Sequence, residues 1–324
     1  MGLLQQIAGV LTRDTGLRAP QFPESMIIEP TNACNLRCRM CSVWGEGVQR
    51  DRAVGYISQE VWSRAIAELG AWPVPIGLYV YGAGEPLLHP EFFDIVGAAK
   101  RNANISVGFL CNATLFDRDK AKATVELGVD TLSFSVDGAQ KDVFEYYRKG
   151  AVLHQVEENI RFLLSIRTGG KPSVSLRMVN HEEADVEMFL EQWAGRVESI
   201  TVSRKRPVRR ETSVPVRLRQ PCPSIYRQMI MGWDGTAVLC CEDNWGDAVI
   251  GRFPDESLYE IWNGHTMRRA RRLHETGRYK EIALCSTCDA GVFHLFDEYT
   301  IERAGKRTLV QRELPDINPD LGCR

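Results

Sequence analysis

From Ser25 to about Ser203, short β-branched or aromatic runs alternate with longer stretches whose apolar residues recur near helical spacing. Such alternation restricts the fold more than anything else in the chain, because repeated strand–helix units assemble into a parallel sheet. Six strands are predicted, at Met26–Glu29, Ile76–Tyr81, Ile105–Cys111, Thr131–Val136, Val174–Val179 and Ser199–Ser203. The segments between them, such as SQEVWSRAIAELG and HQVEENIRFLLSI, read as helices. The predicted fold class is therefore α/β, a partial (βα)6 TIM-like barrel. Six units are too few to close an eight-fold barrel, and its chemistry is expected at the C-terminal strand ends.

The pattern breaks at residues 204–221, where six arginines and a lysine mix with three prolines. A linker or crossover, solvated or lining the site, is expected there. Beyond it, RQMIMGWDGTAVLCC reads as a hairpin, with Asp234-Gly235 supplying the positive φ of a tight turn. A helix at DESLYEIWNG and a basic helix at TMRRARRLHETG follow, and the last thirty-odd residues read as a polar tail. These signals divide the chain into an extension (1–24), a core (25–205), the linker (206–221), a small domain (222–300) and the tail (301–324).

Charge and cysteine usage narrow the function. The 324 residues carry 40 basic against 42 acidic side chains, a net charge of -2, which argues against a partner whose phosphates must be neutralised. The apolar stretch in MGLLQQIAGVLTRDTG is too short and interrupted to span a bilayer and reads as an amphipathic helix. A cytoplasmic protein with no membrane partner, acting on a small molecule, is expected. In that compartment thiols stay reduced, so ten cysteines suggest metal sites rather than disulfides.

Three of them, Cys34, Cys38 and Cys41, follow the first strand in a C-x3-C-x2-C spacing. Thiolates are the usual protein ligands of iron–sulfur clusters, and three ligands to a four-iron cubane leave one iron open to an exogenous chelator. Zinc would require a fourth protein ligand nearby. A second set, Cys222, Cys240, Cys285 and Cys288, can saturate a cubane or a zinc ion, and spacing does not separate the two.

The triplet, its place after strand one and the βα repeat together resemble the radical S-adenosylmethionine (SAM) superfamily over roughly residues 25–205. That resemblance implies a SAM-binding 4Fe–4S cluster on Cys34, Cys38 and Cys41, and a 5′-deoxyadenosyl radical that removes a hydrogen from substrate. Tyr81-Gly82-Ala83-Gly84-Glu85-Pro86 is similar to the family's Gly-Gly-Glu-Pro motif, which receives the methionine amino group of SAM, with Ala83 replacing the first glycine. A carboxylate suits a bound ammonium, although Glu85 also suits a helix cap. Ser135 and Asp137, in Ser133-Phe-Ser-Val-Asp-Gly138, resemble the strand end that meets the SAM ribose or carboxylate, and Arg148 and Arg177 are carboxylate partners by guanidinium geometry. Met40 stands where the family usually has an aromatic residue near the adenine.

Behind such a core, Cys222, Asp234-Gly235, Cys240, Ile261-Trp262-Asn263 and Cys285-x2-Cys288 resemble the SPASM/twitch extension. The resemblance implies the shorter, twitch form with one auxiliary 4Fe–4S cluster, in which Cys241 exchanges roles with Cys240. The spacing is similar to that of 2-deoxy-scyllo-inosamine dehydrogenase-type enzymes of antibiotic biosynthesis. It implies oxidation of a hydroxyl on a sugar, aminocyclitol or nucleoside-like metabolite, with a flavodoxin- or ferredoxin-type electron donor. Arg204, Lys205 and Arg206 are candidates to hold substrate oxygens or assist deprotonation. Alternatives are epimerisation, with Cys241, Cys323 or Cys111 returning a hydrogen; decarboxylation of a uronic acid held by the arginines; and peptide maturation, for which no binding domain is expected before Ser25. A non-catalytic protein with two structural metal sites would need no SAM pocket.

Overall fold

The computed structural model describes residues 19–48, 52–181, 183–204, 221–288 and 296–313. Strands β1 (Ser25–Ile28), β2 (Ile76–Val80), β3 (Ile105–Cys111), β4 (Thr131–Ser135), β5 (Ser173–Asn180) and β6 (Ser199–Arg204) match the six predicted to within a residue or two. They alternate with helices α1 (Gln59–Ala71), α2 (Phe92–Lys100), α3 (Arg118–Glu126), α4 (Lys141–Tyr147), α5 (Leu153–Ile166) and α6 (Glu183–Trp193). In α1, Trp62, Ala65, Ile66 and Leu69 form one buried stripe, and Ser58 caps the first turn by accepting from the Val61 amide. Every neighbouring pair among the six strands is parallel.

Side-chain alternation then gives the sheet two unlike faces. Leu78, Val80, Val107, Phe109, Leu132, Phe134, Val174, Leu176, Ile200 and Val202 are buried in one hydrophobic core with the helix stripes. The intervening positions, including Tyr79, Ser133, Ser135, Ser175, Arg177, Thr201 and Ser203, are partly or fully exposed. Parallel strands packed on both faces read as near-continuous apolar runs. The polar alternation here instead leaves the inner face open to solvent and ligand.

The remaining strands extend this sheet on both edges. The hairpin appears as β7 (Gln228–Met231) and β8 (Thr236–Val238), with Gly235 at φ 78° in its turn. Strand β7 pairs in parallel with β1, from Ser25↔Gln228 to Ile28↔Met231, and β9 (Val249–Arg252) lies antiparallel beyond β8. Four helices accompany these strands: α7 (Ser224–Arg227) precedes β7, α8 (Leu258–Trp262) and α9 (His265–Glu275) follow β9, and α10 (Ala283–Ser286) lies at the last cysteines. Ser257 and Glu260 form a capping box at α8.

The polar tail is a correction. β10 (Phe296–Arg303) and β11 (Lys306–Glu313) form a second hairpin, and β11 pairs in parallel with β6 from Leu309↔Ser199 to Arg312↔Val202. The eleven-stranded order is β10-β11-β6-β5-β4-β3-β2-β1-β7-β8-β9, so eight strands run in parallel before the antiparallel edges. An edge hairpin buries little, chiefly Thr308, Val310 and Glu313, and its sequence consequently lacks an apolar run. The boundary expected at residues 300/301 falls inside β10.

Candidate active site

The chain leaving β1 is held by its own polar side chains. Thr31 Oγ1 donates to the Gly55 carbonyl (2.6 Å), Asn32 Nδ2 donates to Ala53 O (2.8 Å), and Trp44 Nε1 donates to Asn32 O (2.8 Å). These bonds fold residues 30–45 into a compact loop carrying Cys34, Cys38 and Cys41, with Met40 half-buried in the turn. Cys41 Sγ accepts from the amides of Val43 (3.4 Å) and Trp44 (3.2 Å). Burial pushes the Cys34 thiol up to about 12, with Glu85, Cys38 and Cys41 adding to the rise, and burial likewise raises Cys38. Thiolates are the ligating form, so this mutually repelling, half-buried set calls for a cationic partner, and the three fit an iron–sulfur cluster.

The loop after β2 packs directly on the cysteine loop. Gly84 has no room for a side chain, since a Cβ there would lie 2.1 Å from the Ala33 carbonyl oxygen. The Glu85 amide donates to that oxygen at 2.7 Å. Gly82 is equally confined, against Glu29, and Pro86 starts a 3-10 turn. Glu85 is buried, and its carboxylate accepts from the amides of Asn112 (2.8 Å) and Leu87 (3.4 Å). It thus caps the 3-10 turn, and burial pushes it up to about 7. Two backbone donors leave a carboxylate further lone pairs for an ammonium.

At the end of β4, Asp137 accepts from Arg148 Nε (2.7 Å) and from the Val179 amide (2.8 Å). Arg148 is raised despite burial by the charges of Asp137, Cys38 and Cys34, which places its guanidinium in the field of the cysteine triplet. Arg177 stands apart from it. Next to Ser135 in the sheet register, it is exposed on the inner face, where its charge reaches the Tyr81 hydroxyl together with that of Cys241.

The second cysteine set is buried throughout, with Cys222, Cys240, Cys285 and Cys288 each at most 9% exposed. Burial raises Cys240, and the charges of Cys241, Cys222 and Cys285 raise it further. His274 Nδ1 accepts from the Cys222 amide (3.3 Å), which leaves Nε2 to carry the proton toward Cys285 Sγ, 3.4 Å away. Cys241 is exposed, unlike its neighbour. Among the described residues no group of three or more His, Cys, Asp or Glu is drawn in tightly enough for a single metal ion. A four-iron cubane spreads its thiolates over a larger body than one ion does.

Of the remaining predicted residues, Arg204 ends β6, where its amide donates to Glu313 (3.0 Å). Lys205, Arg206, Cys323 and most of the linker lie outside the described residues. Cys111 is fully buried in the core, where burial raises it well above the ordinary thiol range. Two positioning acids escape sequence reading. Glu29 accepts from the Ala83 amide (3.0 Å) and the Trp233 amide (3.3 Å) and pairs with Arg52 (2.8 Å), tying the loops after β1 and β2 to the hairpin. Asp243 accepts from the amides of Gly246, Asp247 and Ala248 at 2.8–2.9 Å, shaping the loop after Cys240. Only the turn chemistry of Asp-Asn-Trp-Gly-Asp signals the second.

Comparison with known proteins agrees with this geometry. A family model described as the radical SAM superfamily matches residues 28–191, and one described as an iron–sulfur cluster-binding domain (SPASM) matches residues 222–289. The tungsten-containing aldehyde ferredoxin oxidoreductase cofactor-modifying protein of Pyrococcus furiosus is 28% identical over 164 residues, 49% of this chain and 44% of that one. A GTP 3′,8-cyclase of Limosilactobacillus fermentum is 33% identical over 136 residues, 41% of this chain and 39% of that one. The chain thus spans less than half the length of these curated relatives. The crystal structure of BtrN in complex with AdoMet and 2-DOIA shares the fold, with a TM-score of 0.59 at 15% identity over 83% of this chain and 93% of that one. The two matched domains imply 4Fe–4S clusters and SAM as cofactors, which the half-buried triplet and the buried second set fit. No helix among the described residues is long and apolar enough to cross a membrane. With its cysteine loop and the Gly84-Glu85 contact both inside the matched half of the sequence, this chain belongs to the radical SAM superfamily.

Proposed function

We propose that the enzyme oxidises a hydroxyl group of a sugar, aminocyclitol or nucleoside-like metabolite in natural-product biosynthesis. Cys34, Cys38 and Cys41 would hold the SAM-binding cluster, and Cys222, Cys240, Cys285 and Cys288 the auxiliary one. When bound, the first cluster supplies the electron that cleaves SAM to a 5′-deoxyadenosyl radical, and the second takes up the electron left by the substrate. Glu85 receives the SAM ammonium, and Arg148, oriented by Asp137, faces its carboxylate. Met40, Gly82, Gly84, Pro86 and Ser135 shape the same pocket.

The observation that carries the reading is the second cysteine set, buried and braced by His274. Oxidation of an alcohol by a radical leaves one electron to be taken up, and a second cluster held by this set would accept it. The inner face supports the substrate class, since Ser133 and Ser175 hydroxyls lie 2.5 Å apart and Arg177 and Thr201 are register neighbours. Hydroxyls and a guanidinium suit a polyhydroxylated ligand. The alcohol loses one hydrogen atom from carbon, one proton from oxygen and one electron. Arg204, with Lys205 and Arg206 beside it in the chain, would hold the oxygen.

Iron and sulfide per chain test this, compared between the reconstituted enzyme and a variant lacking the four auxiliary cysteines. A fall from about eight irons to about four is expected, each cubane carrying four. About four in both proteins would sink the oxidation reading. Deuterium at the product carbon in deuterated water would indicate epimerisation, and loss of the substrate's carboxyl carbon would indicate decarboxylation.

A further inference from the structure

Helix α9 has two faces of opposite character. Met267, Ala270, Arg271 and His274, at spacings of three and four, are buried, whereas His265, Arg268, Arg269 and Arg272 are exposed on the other side. The buried face ends on the second cysteine set, through His274 and its contacts to Cys222 and Cys285. The exposed face borders a recess lined by Arg268, Arg269, Arg272 and Arg278 together with Glu275 and Glu281.

That basic face lacks an internal explanation. Residues 265–281 hold six basic side chains against two acidic ones, in a chain whose net charge is -2. Glu281 takes up Arg278 at 2.6 Å and reaches Arg269 only at 4.0 Å. Arg268 and Arg272 stand at i,i+4, where like charges destabilise a helix by about 0.2–0.5 kcal/mol. Neither has a carboxylate within ion-pair distance among the described residues. Arg268 donates to the Asn263 carbonyl, which neutralises nothing. The helix dipole favours cations in the last turn alone, so it accounts for Arg272 and not for Arg268 or Arg269.

We propose that the exposed face of α9 is the docking surface for an acidic one-electron carrier protein of the flavodoxin or ferredoxin type, seated one helix diameter from Cys285. With side chains that diameter is about 10–12 Å. This rests on the oxidation reading. The substrate's second electron must leave the enzyme side of the auxiliary cysteines, and an oxidised carrier docked on α9 would be reduced by that one electron. Charge complementarity of this kind mainly accelerates encounter and is screened by salt.

The test measures binding of a flavodoxin to the cluster-loaded and the cluster-free chain, and the second-order rate of electron exchange with the loaded chain, at 50 and 500 mM salt on the order of which the Debye length shrinks severalfold. Wild type should lose about tenfold in rate and affinity over that range. An Arg268→Gln, Arg269→Gln, Arg272→Gln variant should start about tenfold lower and respond weakly to salt, with iron content and the rate of reduction by dithionite unchanged. Lysine at the three positions should restore binding, and Lys122→Glu with Lys141→Glu on the far helices should change nothing. Salt-independent binding by wild type, or a glutamine variant that binds as wild type does, would overturn the proposal. So would short duplex DNA binding this face more tightly than flavodoxin does. Carrier binding at α9 in a protein with only about four irons would keep the docking surface while removing the oxidation reading.

Discussion

Adding a single methyl group at Gly84 should separate the cysteine loop from the Gly84-Glu85 loop, the two loops of the proposed SAM site. The Cβ of Gly84→Ala would lie 2.1 Å from Ala33 O, 2.6 Å from the Asn32 carbonyl carbon and 2.8 Å from Thr31 O. All three are backbone atoms and cannot rotate away. Since a close C···O approach is about 3.3 Å, relief requires about 1 Å of movement between the loops. That breaks the 2.7 Å bond from the Glu85 amide to Ala33, worth about 1 kcal/mol, on top of about 1–3 kcal/mol of overpacking. A loss of about 2–4 kcal/mol is expected. Gly97→Ala is the matched control. Inside α2, its Cβ would meet Leu127 Cδ2 at 3.4 Å, and the helix should gain about 0.5–1 kcal/mol. The assay is the urea midpoint of each chain, with iron loading and SAM cleavage measured in parallel. Gly84→Ala should fall in midpoint and lose iron, and Gly97→Ala should rise and load fully. A Gly84→Ala protein with wild-type midpoint and iron content would refute the loop contact and the reasoning built on it.

Arg148→Met should cost about 3–5 kcal/mol, because it strands the Asp137 carboxylate at 2% exposure; a double-mutant cycle with Asp137→Asn should show the pair losing less than the sum of the singles. Burial holds Glu85 near pH 7, so the carboxyl is neutral below that value and charged above it. SAM affinity should therefore weaken up to about tenfold per unit as pH falls from 7 to 5.5, and Glu85→Gln should bind weakly with a flat profile. An equally flat wild-type titration would exclude the ammonium contact. Asp243→Ala exposes three loop amides to a missing acceptor and should lower stability by about 2–4 kcal/mol, with iron lost from the second cysteine set first; unchanged iron would separate Asp243 from that site.

Local pattern accounts for much of this protein by itself. Strands such as Ile105–Cys111 are short β-branched runs between helical repeats, and the Asp234-Gly235 turn carries its conformation in its chemistry, so both are legible residue by residue. The cysteine spacings are equally local, and with the Gly84-Glu85-Pro86 turn they point to the superfamily. What tertiary structure decided is every contact between distant segments. The edge hairpin Phe296–Glu313 has no apolar run, and only its pairing with β6 gives it a place. Glu29 looks like a strand's last residue until Ala83, Trp233 and Arg52 converge on it from three parts of the chain. Arg148 and Arg177 read alike in sequence, yet Asp137 draws the first toward the cysteine triplet, while strand alternation turns the second onto the open inner face. The physical reason is the same in each case: propensity and spacing act over a few residues, whereas burial and the pairing of charges depend on which surfaces the folded sheet brings together.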